Sequence, residues 1–495
     1  MTFKQIFFQL LQNPDKFNGD LPFLYNTKGE LFSYKQANAV IQTILGKLSI
    51  ATIPTATVVA LYSEKNMAAV LQIQGIMLSN HAYLPIDSRS PLSRILNILQ
   101  QAKPSAIIVQ EQFVERLTQE LKKTETNFSI ADFDFDYKLF VFTNYNTYHE
   151  DLAYILFTSG STGIPKGIMH SYKSVLAFVN WCGQTFSTNI PSKFISIAPF
   201  QFDLSVHDLF VPLLHSASLL LAAENETSNS RLMAQIISEQ KIDVVYSTPS
   251  FFNWLLETGR MERYDFAEVK SVLIAGEILR WETVKRLQKY FTQAQFYNLY
   301  GPTETNVCLS YKINFADEEK YNKSVPIGVP CNYSQMKLSK TEAENRLFIG
   351  GATLMDGYVN NNIACFENMD GKKFYNTGDL LEETFEGNYA FVSRADAMIK
   401  RNGYRIEPAE IETGLKRLAG VRHVIVVSQK ENDTVKLHAF IISDQKYETV
   451  FLKNFCVTEI HYAMVPDSFT FIESFPLNKN HKTDTVELIK LISVS

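Results

Sequence analysis

The chain has 495 residues, a formal charge of −5, and 46% hydrophobic against 20% charged residues. That length exceeds one ordinary core, so two or more domains are expected, with the balance of a soluble globular protein. The acidic balance offers no footprint for nucleic acid, and no apolar run approaches the roughly 18 residues of a membrane span. Five scattered cysteines (Cys182, Cys308, Cys331, Cys365, Cys456) lack any CxxC pairing, which argues against zinc or a disulfide framework and points to the cytoplasm.

In chain order, residues 1–17 read as an amphipathic helix interrupted by charge, not a signal peptide. Residues 57–62 (TVVALY) predict a buried strand and 66–78 a helix. Short apolar runs at 106–109, 154–157, 194–198, 218–222, 244–247 and 272–275 repeat the theme, several with helical segments between them. Strands alternating with helices imply a largely parallel sheet covered on both faces. After about residue 325 the texture changes to short β units, 346–350 and 389–393 among them, separated by Gly- and Asn-rich turns. The last segment predicts a helix at 409–415, strands at 424–428 and 438–442, and a helix at 449–458. That is enough for a small α+β domain, with the boundary near 394–396.

The densest local signal is 158–167 (TSGSTGIPKG), directly after the run 154–157. Gly160, Gly163 and Gly167 let backbone N–H groups approach an anion closely. Thr158, Ser159, Ser161 and Thr162 add hydroxyl donors, and Lys166 adds a positive charge. The set suits a polyphosphate, but the GxxxxGK[ST] spacing of a Walker loop is absent. The plainer reading of such a cluster is a surface loop.

Here the chain resembles the adenylate-forming superfamily: acyl-CoA synthetases, luciferases and nonribosomal peptide synthetase adenylation domains. The resemblance runs over nearly the whole chain. Its further motifs are 81–87 (HAYLPID) with 91–94, 300–304 (YGPTE), 375–379 (YNTGD), 393–412 (SRADAMIKRNGYRIEPAEIE) and 476–484 (PLNKNHKTD). It implies an α/β fold: a large N-terminal domain, 1–395, of parallel sheets flanked by helices plus a small β subdomain. A small mobile C-terminal α+β domain, 396–495, completes it. It also implies ATP and Mg²⁺ as cofactors, Tyr300 stacked on adenine, Asp379 accepting from the ribose hydroxyls and Arg394 near the ribose. Thr303 contacts phosphate and Glu304 holds Mg²⁺, a carboxylate among phosphate and water oxygens being ordinary magnesium chemistry. Taken alone, Glu304 reads as a solvated acid. By the same resemblance Lys482 bridges the substrate carboxylate and the α-phosphate. The surrounding motif departs from the family's PLTPNGKxD pattern at Asn478, Lys479 and His481, and Ser393 replaces a usual glycine. Asp396 takes the hinge position, while Lys400 and Gly403 fit the loop used in thiolation; a simple turn is the plainer reading of Gly403.

Residues 202–208 (FDLSVHD) resemble the FDxS segment of amino-acid-activating members, whose Asp pairs with the α-ammonium. Asp203 takes that role, and a carboxylate there selects amino acids over fatty acids because a buried unpaired ammonium is costly. The plainer role for Asp203 is to cap a helix at 204–214. By the same resemblance the pocket is lined by Asp203, Leu204, His207, Tyr246, Leu273, Ala275, Leu299, Val307, Cys308 and Lys482. This bulky lining leaves room for a small side chain. It is similar to that of free-standing prolyl adenylating enzymes, as is 298–308 (NLYGPTETNVC), although His207 stands where those have an apolar residue. Residues 247–251 (STPSF) resemble D-alanine-activating ligases. The implied function is activation of a small amino acid, L-proline first and D-alanine second. The acyl group then passes to the phosphopantetheine thiol of a separate carrier protein, since no GGxS attachment motif is present. Coenzyme A is the alternative acceptor. An acyl- or aryl-CoA synthetase and a catalytically silent adenylate-binding protein are the competing readings.

Overall fold

The computed structural model describes residues 19–160, 164–186, 192–340, 345–359, 365–395, 398–431, 434–476 and 485–492. The expected helix at 1–17, and Ser161, Thr162, Gly163, Asp396 and Lys482, lie outside the described residues. The chain forms two compact units. One comprises the residues up to 88, 102–156 and 168–395; the other comprises 89–101, 157–167 and 396–495.

The first unit carries the expected parallel sheets. In one sheet, Pro22–Asn26, Ser218–Leu221, Lys193–Ser196, Val244–Ser247, Ser271–Ala275 and Gln295–Tyr300 run parallel in that spatial order. Leu31–Ser33 and Leu309–Lys312 close its flanks antiparallel. A second sheet has Val58–Ser63 paired parallel with both Ala82–Asp87 and Ala106–Gln110. The strands are buried on both faces, as the unbroken apolar runs require. The small β subdomain is antiparallel, its spine the long strand Lys372–Glu383 between Asn345–Gly351 and Tyr389–Arg394.

Helix Met67–Leu78 begins where the sequence predicts it, because Asn66 accepts the Ala69 amide at 2.8 Å as N-cap. Helix Leu204–Leu214 is apolar almost all round, as a helix packed against two surfaces must be. Its Phe210 ring meets Tyr83 of the second sheet, and its His207 ring meets Tyr246 of the first. One core joins it to both sheets, so the sequence places the residues of this helix between them.

In the second unit, helix Pro408–Leu415 packs on the hairpin Val421–Glu431 and Thr434–Ser443, with Ser468–Phe471 added in parallel. The helix expected over 449–458 runs only over Thr449–Phe455 and then widens into the turn Cys456–Ile460. β-Branched Val457 and Thr458 favour the helix least at that point.

Candidate active site

The strand Gln295–Tyr300 runs into 301–306, which folds back so tightly that a Cβ on Gly301 would lie 1.7 Å from the Asn306 carbonyl oxygen. Only glycine fits there. Asn306 takes φ +52°, a left-handed conformation asparagine tolerates. The turn sets Tyr300, Thr303 and Glu304 in fixed places. The Tyr300 hydroxyl donates to one oxygen of Asp379, and Arg394 donates to the other. Arg394 also donates to the Thr377 carbonyl at 3.0 Å. Sheet register explains the pairing, since Asp379 lies directly opposite Arg394 on the neighbouring strand. Burial, and then the Asp379 carboxylate, push the Tyr300 hydroxyl well above its ordinary range, so it stays a donor.

Glu304 is 1% exposed, and one of its carboxylate oxygens accepts from Tyr358 at 2.9 Å. The Thr303 carbonyl accepts from His170 Nε2 at 2.7 Å, while His170 Nδ1 faces the Ser174 hydroxyl at 2.9 Å. Burial lowers the His170 pKa to about 4, so the ring is neutral and serves as a fixed strut beneath the turn. Mg²⁺ fits the donor set at Glu304. Among the described residues no group of three His, Cys, Asp or Glu could hold a metal alone, whereas one carboxylate suffices when a polyphosphate supplies further oxygens.

Register also brings together several of the residues expected to line the pocket. Tyr246 lies beside Leu273, and Ala275 beside Leu299; with the two-residue alternation of a strand, all four share one face. Val307 joins the same core and Leu204 packs against it. Cys308 does not. Being next in the chain it turns the other way and packs with Tyr300 and Leu347. Asp203 stands at the N-cap position of Leu204–Leu214, but with φ −63° and ψ −23° it makes no side-chain capping bond. Its charge instead bears on the hydroxyls of Tyr154 and Tyr246. Tyr154, Asn306, His170 and Tyr358 escaped the sequence reading. The signal for Tyr154 was a lone polar aromatic in the strand feeding the glycine-rich loop; His170 is 133 residues from its partner and gave none.

Within the second unit, a Cβ on Gly160 would lie 1.9 Å from the Ile164 carbonyl oxygen, so only glycine fits at this position. Ser159 donates to the Arg405 carbonyl. The Thr158 hydroxyl is buried and has no hydrogen-bond partner among the described residues. Lys166 opens the strand Lys166–Ser171. Lys400 lies in the hairpin Ile399–Arg401 and Tyr404–Ile406, whose tip is Asn402 (φ +51°) and Gly403 (φ +79°). Two left-handed residues at a two-residue hairpin tip demand an Asn-Gly type of sequence, so the turn alone accounts for Gly403.

The two-unit α/β fold is that of adenylate-forming ligases, enzymes that use ATP. The chain belongs to the AMP-binding enzyme family, whose profile matches residues 11–359, and it is an AMP-forming ligase. It is 27% identical over 479 residues to an L-proline–[L-prolyl-carrier protein] ligase of Pseudomonas fluorescens, covering 94% of this chain and 95% of that one. It is 29% identical over 447 residues to a D-alanine–D-alanyl carrier protein ligase of Staphylococcus epidermidis, covering 88% and 89%. The fold matches the Vibrio cholerae adenylation domain AlmE, solved in complex with glycyl-adenosine-5′-phosphate. The TM-score is 0.82 and the identity 22%, over 100% of this chain and 98% of that one. Among the described residues no helix is long and apolar enough to cross a membrane.

Proposed function

We propose that the chain activates a small amino acid, of about the size of L-proline, as its aminoacyl-AMP and loads it onto the phosphopantetheine thiol of a separate carrier protein. The amino acid's carboxylate attacks the α-phosphorus of ATP and pyrophosphate leaves. The thiol then attacks the acyl carbon and AMP leaves. Both partners of the first step are anionic, so the chain's task is to surround them with cations and donors. Lys482 and Lys166 carry the positive charge in this reading. Asp379, held by Tyr300 and Arg394, keeps lone pairs for the ribose hydroxyls. Mg²⁺, held by Glu304, neutralises phosphate charge when bound.

Asp203 carries the reading. Its carboxylate stands at the head of helix Leu204–Leu214 without capping it, and a negative charge there suits an ammonium group, the feature that separates amino acids from other carboxylic acids. The names of the relatives support amino acids and carrier proteins, with proline and D-alanine the two acids named. The test is ATP–pyrophosphate exchange with twenty L-amino acids and D-alanine, followed by acyl transfer to a phosphopantetheinylated carrier or to coenzyme A. Amino-acid-dependent exchange that Asp203→Ala abolishes supports the proposal. Exchange with benzoate or fatty acids alone contradicts it, as does silence throughout with ATP still bound.

A further inference from the structure

Asp203, the N-cap of helix Leu204–Leu214 with helical backbone angles, precedes His207 by four residues, so their side chains project from one face about one turn apart. A substrate whose ammonium sits at Asp203 therefore extends its side chain toward His207, provided the reading above holds. His207 is 1% exposed, and its ring meets Tyr246 edge-on at 4.9 Å. Nδ1 lies 3.1 Å from a carboxylate oxygen of Asp208, itself 1% exposed. A carboxylate only accepts, so the proton sits on Nδ1, and in the neutral ring Nε2 presents a lone pair. Nε2 is buried and has no hydrogen-bond partner among the described residues. A buried acceptor without a donor is costly, and an apolar substrate leaves it so. The second carboxylate oxygen of Asp208 has no hydrogen-bond partner among the described residues, so an amine-bearing side chain is the competing occupant that the test must exclude.

We propose that the amino acid taken by this pocket carries a side-chain hydroxyl, donated to Nε2 of His207. Proline's size is kept, but proline itself gives way to a hydroxylated acid. The Asp208–His207 pair sets the ring's tautomer, and Tyr246 limits the space around it.

Matched isosteres test this in ATP–pyrophosphate exchange: serine with alanine, threonine with 2-aminobutyrate, 4-hydroxyproline with proline, and 2,4-diaminobutyrate as the amine-bearing control. The expected result is a kcat/KM preference of about 10- to 100-fold for a hydroxylated acid over its own deoxy analogue. The preference collapses in His207→Leu and survives in part in His207→Gln, which retains an acceptor. Equal or better use of the deoxy analogues by the wild-type protein overturns the inference yet leaves amino-acid activation standing, and needs no variant to fold. A preference for the diamine also overturns it. Absence of exchange with every amino acid means that the underlying reading has failed.

Discussion

Replacing Asp379 by asparagine separates the charge of the ribose-side cluster from its shape. In the wild-type protein the two carboxylate oxygens receive the Tyr300 hydroxyl and the Arg394 guanidinium, and Asp379 is 1% exposed. The variant's amide NH₂ cannot face Arg394, which offers only donors, so it must turn toward Tyr300 and force that hydroxyl to accept. The carbonyl oxygen then serves Arg394 without a negative charge. The guanidinium, about 10% exposed, is left without its counter-charge. Ribose also loses a charged acceptor. A hydrogen bond to a charged group contributes about 1.5–3 kcal/mol, so the KM for ATP in the exchange assay should rise about 10- to 150-fold. Tyr300→Phe removes a single neutral donor and should cost less, about 1 kcal/mol. A KM for ATP within about threefold of wild type in folded Asp379→Asn would refute the reasoning.

Glu304→Gln keeps the Tyr358 contact but removes the charge proposed to hold Mg²⁺; exchange should fall about 100- to 1000-fold and shift to higher Mg²⁺, as measured by magnesium titration. Gly301→Ala forces a methyl against the Asn306 carbonyl, so the turn must move; a displacement of about 1 Å at Glu304 should cost about 100-fold in exchange, read beside a melting curve showing a folded protein. His170 has a folded pKa of about 4 against 6.5 for a solvated imidazole. The unfolded chain binds more protons between those values, so stability rises with pH across that window and about 3 kcal/mol is lost on acidification. Urea unfolding at pH 4.5 and 7 should show about 2 kcal/mol of this loss in the wild-type protein and less in His170→Gln; equal losses would contradict the assignment.

Periodicity located the strands well because most are buried on both faces and read as unbroken apolar runs, Val244–Ser247 among them. It could not order them. The neighbours of Lys193–Ser196 are Ser218–Leu221 and Val244–Ser247, and pairing across such gaps leaves no local trace. Motif order located Tyr300, Glu304 and Asp379, yet the Tyr300–Asp379 bond spans 79 positions and depends on strand register. The facing of Cys308 went unread because 307–308 precedes the strand Leu309–Lys312, where alternation is not yet set by an apolar pattern. The capping role weighed for Asp203 was a sound local expectation. The backbone there takes helical angles instead of the extended ones a capping side chain needs.

Amino-acid-dependent ATP–pyrophosphate exchange, compared between the wild-type chain and Lys482→Ala, decides whether the lysine near the C-terminus takes part in adenylation. Exchange is expected in the first and a loss of about 100- to 1000-fold in the second, the scale of deleting one transition-state charge contact. Undiminished exchange in Lys482→Ala, or a wild-type chain that no amino acid stimulates, would contradict that expectation.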